Sequence, residues 1–223
     1  MTVRRLVLLR HGQTEYNAGN RMQGQLDTDL STLGREQAAA AAEVLAKRDP
    51  LAIVSSDLRR ALDTATALAE LSGLPVSVDT RLRETHLGDW QGLTHLEVDG
   101  VAPGARLAWR DDARWAPHGG ESRVDVAERS MPVVDELLTG LEEWGSGDAS
   151  DRPVVLVAHG GLIAALTAAL LNLPVDNWPV LGGMGNASWV QLSGHSDDYA
   201  APRDVRWRLD VWNASAQVAN DVL

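Results

Sequence analysis

The amino-acid sequence predicts an α/β protein, a three-layer α/β/α sandwich with a mainly parallel central sheet. Residues 3–9 and 154–157 are short apolar runs rich in leucine and β-branched residues, which is typical of strands buried on both faces. Runs with helical periodicity alternate with such strands along most of the chain. Strands that alternate with helices form a mainly parallel sheet with a layer of helices on each face.

The first half of the chain continues this alternation. Ser31 can cap a helix over residues 31–48, in which alanine and leucine recur at helical spacing. Residues 51–54 are a second predicted strand. A second helix is predicted over 58–72, because Gly73 is a typical helix stop, and a short third strand follows it.

The second half begins with an irregular stretch. Residues 93–121 contain glycine, proline and tryptophan without clear periodicity, and we interpret them as an insertion over one end of a single domain spanning 1–223. A helix is predicted over 124–144, and another follows the strand at 154–157. The segments SWVQL and VRWRLDVW alternate between polar and apolar residues and predict two last strands.

Composition narrows the function. The chain has 223 residues, of which 44% are hydrophobic, and it contains no cysteine, so disulfides and thiolate chemistry are excluded. A formal charge of −11 argues against nucleic acid or an anionic membrane as a partner. The apolar run near the N-terminus is too short for a secretion signal, and we expect a cytoplasmic protein.

Two histidines occur in the same context. His11 directly follows the first predicted strand, in LLRHG, and His159 directly follows a later one, in VLVAHGG. Ligands of open parallel sheets bind beyond the carboxyl ends of the strands. We therefore expect both imidazoles at the same edge of the sheet, although either one alone reads more simply as a structural residue.

Arginines stand close to both histidines in this arrangement. Arg10 precedes His11, and Arg60 lies in the first turn of the second predicted helix, next to Arg59; the sequence does not rank these two neighbours. Guanidinium groups bind phosphate oxygens through paired hydrogen bonds, each of which contributes about 1.5–3 kcal/mol. Two guanidiniums and two imidazoles around one point predict a site for a small phosphate ester, which a screened net charge does not prevent.

These residues stand in motifs that resemble a known family. The stretches LLRHGQTEYN, LSTLGREQA, SSDLRRALDTA, RLRETHLGDWQG and VAHGG resemble, in this order, the histidine phosphatase superfamily, the phosphoglycerate mutase-like group. The resemblance covers nearly the whole chain. It implies the phosphoglycerate mutase-like fold, with the insertion at about 93–121 covering the active-site end.

The resemblance also implies a role for each residue. His11 is the nucleophile that is phosphorylated transiently, while Arg10, Arg60 and His159 hold the phosphoryl group. Glu84 is the proton donor. The further substrate-binding residues implied are these: Asn17, Gln23 and, on the last predicted strand, Leu209.

Elementary chemistry supports these roles. A nucleophilic imidazole must be neutral, and neighbouring arginines lower its pKa; a backbone carbonyl, for which we expect Gly12, can fix its tautomer. Glu84 must carry a proton to release an alkoxide, and can then activate water. Its alternative reading is a surface carboxylate paired with Arg81 or Arg83. No metal-ligand spacing is present, and we expect neither a metal nor another cofactor.

Four functions remain to be distinguished. Mutases of this family carry ERHYGxLxGLNK after the catalytic carboxylate, whereas this chain has ETHLGDWQGLTH, which resembles the phosphatase branch. Phosphatases that act on a phosphoglycerate bearing a glucosyl group are resembled by four further stretches: MQGQLDT, WAPHGGESRVDVA, LGGMGNASW and RWRLDVWNAS. This resemblance implies a homodimer. The alternatives are a broad-specificity phosphatase, a phosphoglycerate mutase and a module that only binds phosphorylated ligands. Trp90, Trp109 or Trp115 is available to stack on a sugar ring or on a second subunit.

Overall fold

A computed structural model describes residues 2–147, 151–197 and 204–216 of the chain. Its strands are β1 (Thr2–Arg10), β2 (Ala52–Ser55), β3 (Val76–Val78), β4 (Pro153–Ala158), β5 (Trp189–Ser196) and β6 (Arg206–Ala214). Its α-helices are α1 (Glu15–Ala18), α2 (Thr32–Ala46), α3 (Arg59–Ser72), α4 (His95–Val101), α5 (Ala105–Asp111), α6 (Arg123–Gly140) and α7 (Gly160–Leu170). Short 3₁₀ turns lie at Thr80–Leu82, Gly88–Trp90 and Val175–Val180. None of the helices in these ranges has the length and apolar character of a bilayer span.

The strands form one mixed sheet in the order β3-β2-β4-β1-β5-β6. The first four strands of this order are parallel, as the alternation of strands and helices predicts, while β5 runs antiparallel to both β1 and β6. β4 and β1 are therefore parallel neighbours at the centre of the sheet.

Helices cover both faces of this sheet. Along β1 the side chains of Leu6 and Leu8 belong to the core beneath α6 and α7, while Val7 and Leu9 belong to the core beneath α2 and α3. This alternation follows from the two-residue period of a strand, and every residue of β4 is buried. The predicted three-layer sandwich is confirmed.

Most predicted helix ends agree with the structure. Ser31 caps α2 by accepting a 3.0 Å hydrogen bond from the Gly34 amide, and Gly73 ends α3 with a positive φ of 71°. The predicted helix over 124–144 ends earlier, at Gly140. Trp144 instead folds back against the sheet, where its indole nitrogen donates a 3.1 Å hydrogen bond to the carbonyl of Arg5.

The stretch 93–121 contains two short helices, α4 and α5, and a separate apolar cluster. Val98 of α4 packs with Met22, Leu87 and Trp90, and Trp109 of α5 lies against this cluster. The Met22 amide donates a 2.8 Å hydrogen bond to the carbonyl of Leu93. The stretch is therefore packed against the chain that follows β1, although its sequence shows no clear periodicity.

The first turn of α2 touches the loop after β1 backbone to backbone. A Cβ atom on Gly34 would lie 1.9 Å from the carbonyl oxygen of Gln13, and one on Gly12 would lie 2.2 Å from that of Gly34. Only glycine permits this approach, which sets the path of the loop that carries His11.

Gly34→Ala is expected to destabilise the protein by about 1–3 kcal/mol, because the added methyl group forces the loop and the helix apart. Urea denaturation measures this change in the free energy of unfolding. Gly100→Ala in α4 is the matched control, since a Cβ there meets nothing within 4 Å and alanine favours the helix. Equal stabilities of the two variants would contradict the proposed contact.

Candidate active site

The structure brings the two predicted histidines together. Arg10 pairs with Ala158 at the ends of β1 and β4, so that His11 and His159 leave adjacent parallel strands. The His11 amide donates a 3.1 Å hydrogen bond to the carbonyl of Ala158, and the two imidazole centroids lie 5.1 Å apart. Both side chains are buried.

The His11 ring is held in one tautomer. Its Nδ1 lies 2.7 Å from the carbonyl oxygen of Gly12, which can only accept, so Nδ1 carries the proton and Nε2 keeps a lone pair. Burial, and then the charges of Arg60 and Arg10, hold the pKa of His11 well below its usual range, although the Gly12 hydrogen bond opposes them. The imidazole is therefore neutral at pH 7 and can act as a nucleophile.

Arg60 is the arginine that enters the site. Its side chain is buried in the first turn of α3, where the guanidinium donates hydrogen bonds of 2.7 and 2.8 Å to the carbonyls of Leu26 and Gly24. Its neighbour Arg59 is half exposed and forms ion pairs with Asp27 and Asp29. Solvent access thus distinguishes two arginines that the sequence does not rank.

Backbone carbonyls, not carboxylates, also hold Arg10. Its guanidinium donates to the carbonyl of Met184, and the Nε atoms of both Arg10 and Arg60 are buried without a hydrogen-bond partner among the described residues. Burial lowers the pKa of Arg60 to about 10, so it remains charged at neutral pH. The guanidinium groups of Arg10 and Arg60, each with an Nε donor unpaired within the described part of the chain, are therefore suited to bind an anion.

His159 lies behind His11 and contacts a residue that sequence reasoning missed. Its Nε2 lies 2.9 Å from the hydroxyl of Ser56, which directly follows β2, and its Nδ1 has no partner among the described residues. Burial, with the charge of Arg60 next, holds the pKa of His159 well below its usual range. The imidazole is neutral and hydrogen-bonded on one side.

Glu84 lies at the N-terminus of α7, the helix that follows His159. Its carboxylate accepts hydrogen bonds from the amides of Gly161 and Leu162, at 3.1 and 3.0 Å, and so satisfies the N-terminus of α7. Arg81 pairs with Asp79 and Glu136, and Arg83 pairs with Asp57. The alternative reading of Glu84 as a partner of Arg81 or Arg83 is therefore wrong.

Asn17 and Gln23 line the cleft beside His11. Thr14 connects them, because its hydroxyl lies 3.1 Å from the Asn17 oxygen and 2.9 Å from the Gln23 oxygen. The Asn17 oxygen also accepts from the Asn186 side chain, and the Gln23 oxygen from Thr28. Since both oxygens are occupied, each amide can turn its nitrogen towards an anion.

Leu209 does not reach the cleft. It pairs with Leu192 of β5 and packs against the main core, on the outermost strand of the sheet. The alternation with Trp207 that suggested a substrate contact instead reflects burial of one face of β6. Leu209 is partly buried against that core and is not among the residues of the cleft, so the expected substrate contact through Leu209 is not seen in a single chain.

The cleft contains six predicted residues and six that the sequence analysis did not assign. The predicted residues are Arg10, His11, Asn17, Gln23, Arg60 and Glu84; His159, predicted with them, is fully buried and is not among the residues of the cleft. The others are Arg21, Gly24, Thr85, Leu87, Trp109 and Gly161. Gly24, Thr85, Leu87 and Gly161 stand inside the quoted motifs, which are the signal that could have identified them. Arg21 has no such signal, and Trp109 is one of the three tryptophans named as available for stacking.

Comparison with known proteins places this site in a family. The model of the histidine phosphatase superfamily (branch 1) matches residues 6–210. The chain is 82% identical to glucosyl-3-phosphoglycerate phosphatase of Mycolicibacterium vanbaalenii, over 100% of both chains. The chain belongs to the histidine phosphatase superfamily, and it is a phosphoric monoester hydrolase.

Solved structures of similar proteins have the same fold as this chain. The mycobacterial glucosyl-3-phosphoglycerate phosphatase in complex with VO3 matches with a TM-score of 0.92 and 75% identity, over 95% of this chain and 100% of that chain. The complex of that enzyme with inorganic phosphate matches with a TM-score of 0.90 and 73% identity, over 97% of this chain and 100% of that chain. The phosphoglycerate mutase-like fold is thereby confirmed.

Acidification is expected to reduce stability through His11 and His159. Their pKa values are lowered in the folded state, so below the ordinary histidine pKa of about 6.5 the unfolded chain binds protons that the folded chain does not. The free energy of unfolding, measured by urea denaturation, should fall as the pH decreases from 7 to 5. In His11→Asn this decrease should be shallower; an unchanged slope would show that His11 is not buried in its neutral form.

Proposed function

We propose that the protein hydrolyses glucosyl-3-phosphoglycerate to glucosylglycerate and phosphate through a phosphohistidine on His11. The observation that carries this proposal is the fixed tautomer of His11, which keeps Nε2 free on a ring that lines the cleft with Arg10 and Arg60 and lies 5.1 Å from the ring of His159. The names of the similar enzymes support the choice of substrate.

In the first step the phosphoryl group passes from the substrate to His11. The lone pair of Nε2 forms a bond to phosphorus while the bond from phosphorus to the ester oxygen breaks. Arg10, Arg60 and His159 stabilise the charge on the phosphoryl oxygens. Glu84 gives a proton to the leaving oxygen and becomes a carboxylate.

In the second step water hydrolyses the phosphohistidine and regenerates free His11. The Glu84 carboxylate takes a proton from a water molecule, whose oxygen attacks phosphorus as the bond to Nε2 breaks. Inorganic phosphate leaves, and both His11 and Glu84 return to their starting protonation states. Asn17 and Gln23 are proposed to hold the phosphate through their amide nitrogens.

Trp109 is proposed to bind the glucosyl group. Its ring lines the cleft, and its indole Nε1 is buried without a partner among the described residues. Trp90 packs edge-on against it at 6.1 Å, and the guanidinium of Arg123 lies 5.5 Å from the centre of its ring. An aromatic surface of this kind suits the apolar face of a sugar, and we propose that the stretch 93–121 supplies it as a cover over the site.

We further propose a single domain that works as a cytoplasmic homodimer, without nucleic acid, membrane or cofactor. The formal charge of −11 supports the exclusion of polyanionic partners. The tryptophans of β6 support an assembly through apolar surface, because Trp207 and Trp212 are only partly buried in one chain. A sedimentation equilibrium experiment that gives the mass of one chain would contradict the proposed dimer.

Rapid acid-free quenching during turnover should trap base-stable, acid-labile phosphate on His11. His11→Ala is expected to form none and to lose on the order of 10⁴-fold or more in kcat, since it lacks the nucleophile. His118→Ala is the matched control, because that side chain is exposed. Full activity of His11→Ala without a phosphoenzyme would overturn the mechanism.

The substrate assignment requires a comparison of three esters under the same conditions. Glucosyl-3-phosphoglycerate is expected to react with the highest kcat/KM, above plain 3-phosphoglycerate and an aryl phosphate. Equal values for all three would favour a broad-specificity phosphatase. Isomerisation of 3-phosphoglycerate without phosphate release, dependent on a bisphosphorylated primer, would favour the mutase.

Trp109→Ala is expected to raise KM for glucosyl-3-phosphoglycerate by about 3- to 10-fold, the loss of one aromatic contact, with little effect on plain 3-phosphoglycerate. Steady-state kinetics on both substrates measure the difference. Trp115→Ala is the matched control, because Trp115 stacks on Trp90 and is not among the residues of the cleft. An equal rise of KM for both substrates would contradict a sugar-specific role.

A further inference from the structure

The segment that carries Glu84 has no regular secondary structure of its own. It lies between the 3₁₀ turns Thr80–Leu82 and Gly88–Trp90, so the backbone of Glu84 is not held by the hydrogen bonds of a helix or strand of its own. A proton donor must stand within hydrogen-bond distance of the leaving oxygen, and a misplacement of about 1 Å costs on the order of 100-fold in rate. Contacts from elsewhere must therefore hold this segment.

Arg129 of α6 supplies several of these contacts. Its guanidinium donates to the backbone carbonyls of Arg81 and Glu84, at 2.7 and 3.0 Å. It also forms two hydrogen bonds, of 2.8 and 3.0 Å, with the carboxylate of Glu121. The planar guanidinium is thus fixed by Glu121 and binds the main chain of the segment at two points, Arg81 and Glu84.

Glu121 holds the far end of the same segment. Its carboxylate accepts a 2.7 Å hydrogen bond from the amide of His86, and its own amide donates a 2.7 Å hydrogen bond to the carbonyl of His86. Burial alone would raise the pKa of Glu121, but the hydrogen bonds from Arg129 and His86 hold it below its usual range. The ion pair is therefore intact at neutral pH.

We propose that the Arg129–Glu121 pair positions Glu84 for proton transfer to the leaving group. The inference rests on the proposed role of Glu84 as the proton donor. Neither Arg129 nor Glu121 is among the residues of the cleft, so the pair acts through the segment 81–86 and not on the substrate. Gln25 supports the same carbonyl of Glu84 from the opposite side, at 3.0 Å.

The dependence on the leaving group tests this role. An alkyl ester needs a proton on its leaving oxygen, whereas p-nitrophenolate departs without one. In Arg129→Met, kcat/KM for glucosyl-3-phosphoglycerate is expected to fall about 100-fold and that for p-nitrophenyl phosphate by less than about 3-fold. Equal losses on both esters, or no loss on either, would overturn the proposal.

A second variant and a control keep the result interpretable. Glu121→Gln retains an oxygen for the His86 amide but loses the ion pair, and it should show the same selective loss at smaller size; it carries the test if Arg129→Met does not fold. Arg152→Met is the matched control, since its side chain pairs with Asp49 before the start of β4, whereas His159 follows the end of that strand. Arg152→Met should retain both activities.

A double-mutant cycle separates positioning from a general structural effect. If Arg129 acts through Glu84, then adding Arg129→Met to Glu84→Gln costs less than about 2-fold further on the alkyl ester; an additional loss of about 100-fold would overturn the inference. A selective loss in Glu84→Gln but not in Arg129→Met overturns the positioning role and leaves the proposed function standing. No selective loss in Glu84→Gln overturns both.

Discussion

The parallel pairing of β1 with β4 is the constraint on which the rest of the site depends. It places Arg10 beside Ala158, and therefore His11 beside His159, at the centre of a sheet that is buried on both faces. Both imidazoles are almost fully buried, and burial beside two guanidiniums lowers their pKa values and keeps them neutral. The same packing that makes the core thus prepares a nucleophile.

The site also separates two kinds of arginine. Most arginines of the described residues for which a contact is seen are paired with carboxylates at the surface, as Arg59 is with Asp27 and Asp29. Arg10 and Arg60 are instead held by backbone carbonyls, which orient a guanidinium without cancelling its charge. A chain with a formal charge of −11 can therefore present a local positive field to a phosphate ester.

The connection from β4 to α7 fixes two groups at once. It presents His159 at the strand end, and the first amides of α7 then bind the carboxylate of Glu84. Arg129, Glu121 and Gln25 hold the main chain behind that carboxylate. His159 and the carboxyl group of Glu84 are thus brought together by elements far apart in the sequence.

The layers, the strand ends that bear His11 and His159, and the motifs that contain Arg10, Arg60 and Glu84 could all be predicted from the amino-acid sequence. These follow from local patterns: buried strands, helical spacing and short motifs. The folded structure was needed to distinguish Arg59 from Arg60, to show Leu209 partly buried against the core and to end α6 before Trp144. It also placed Trp109 in the cleft, Ser56 beside His159 and Arg129 against the main chain of Glu84. The physical reason is that solvent access and contacts between distant segments depend on how the layers pack, which no local pattern records.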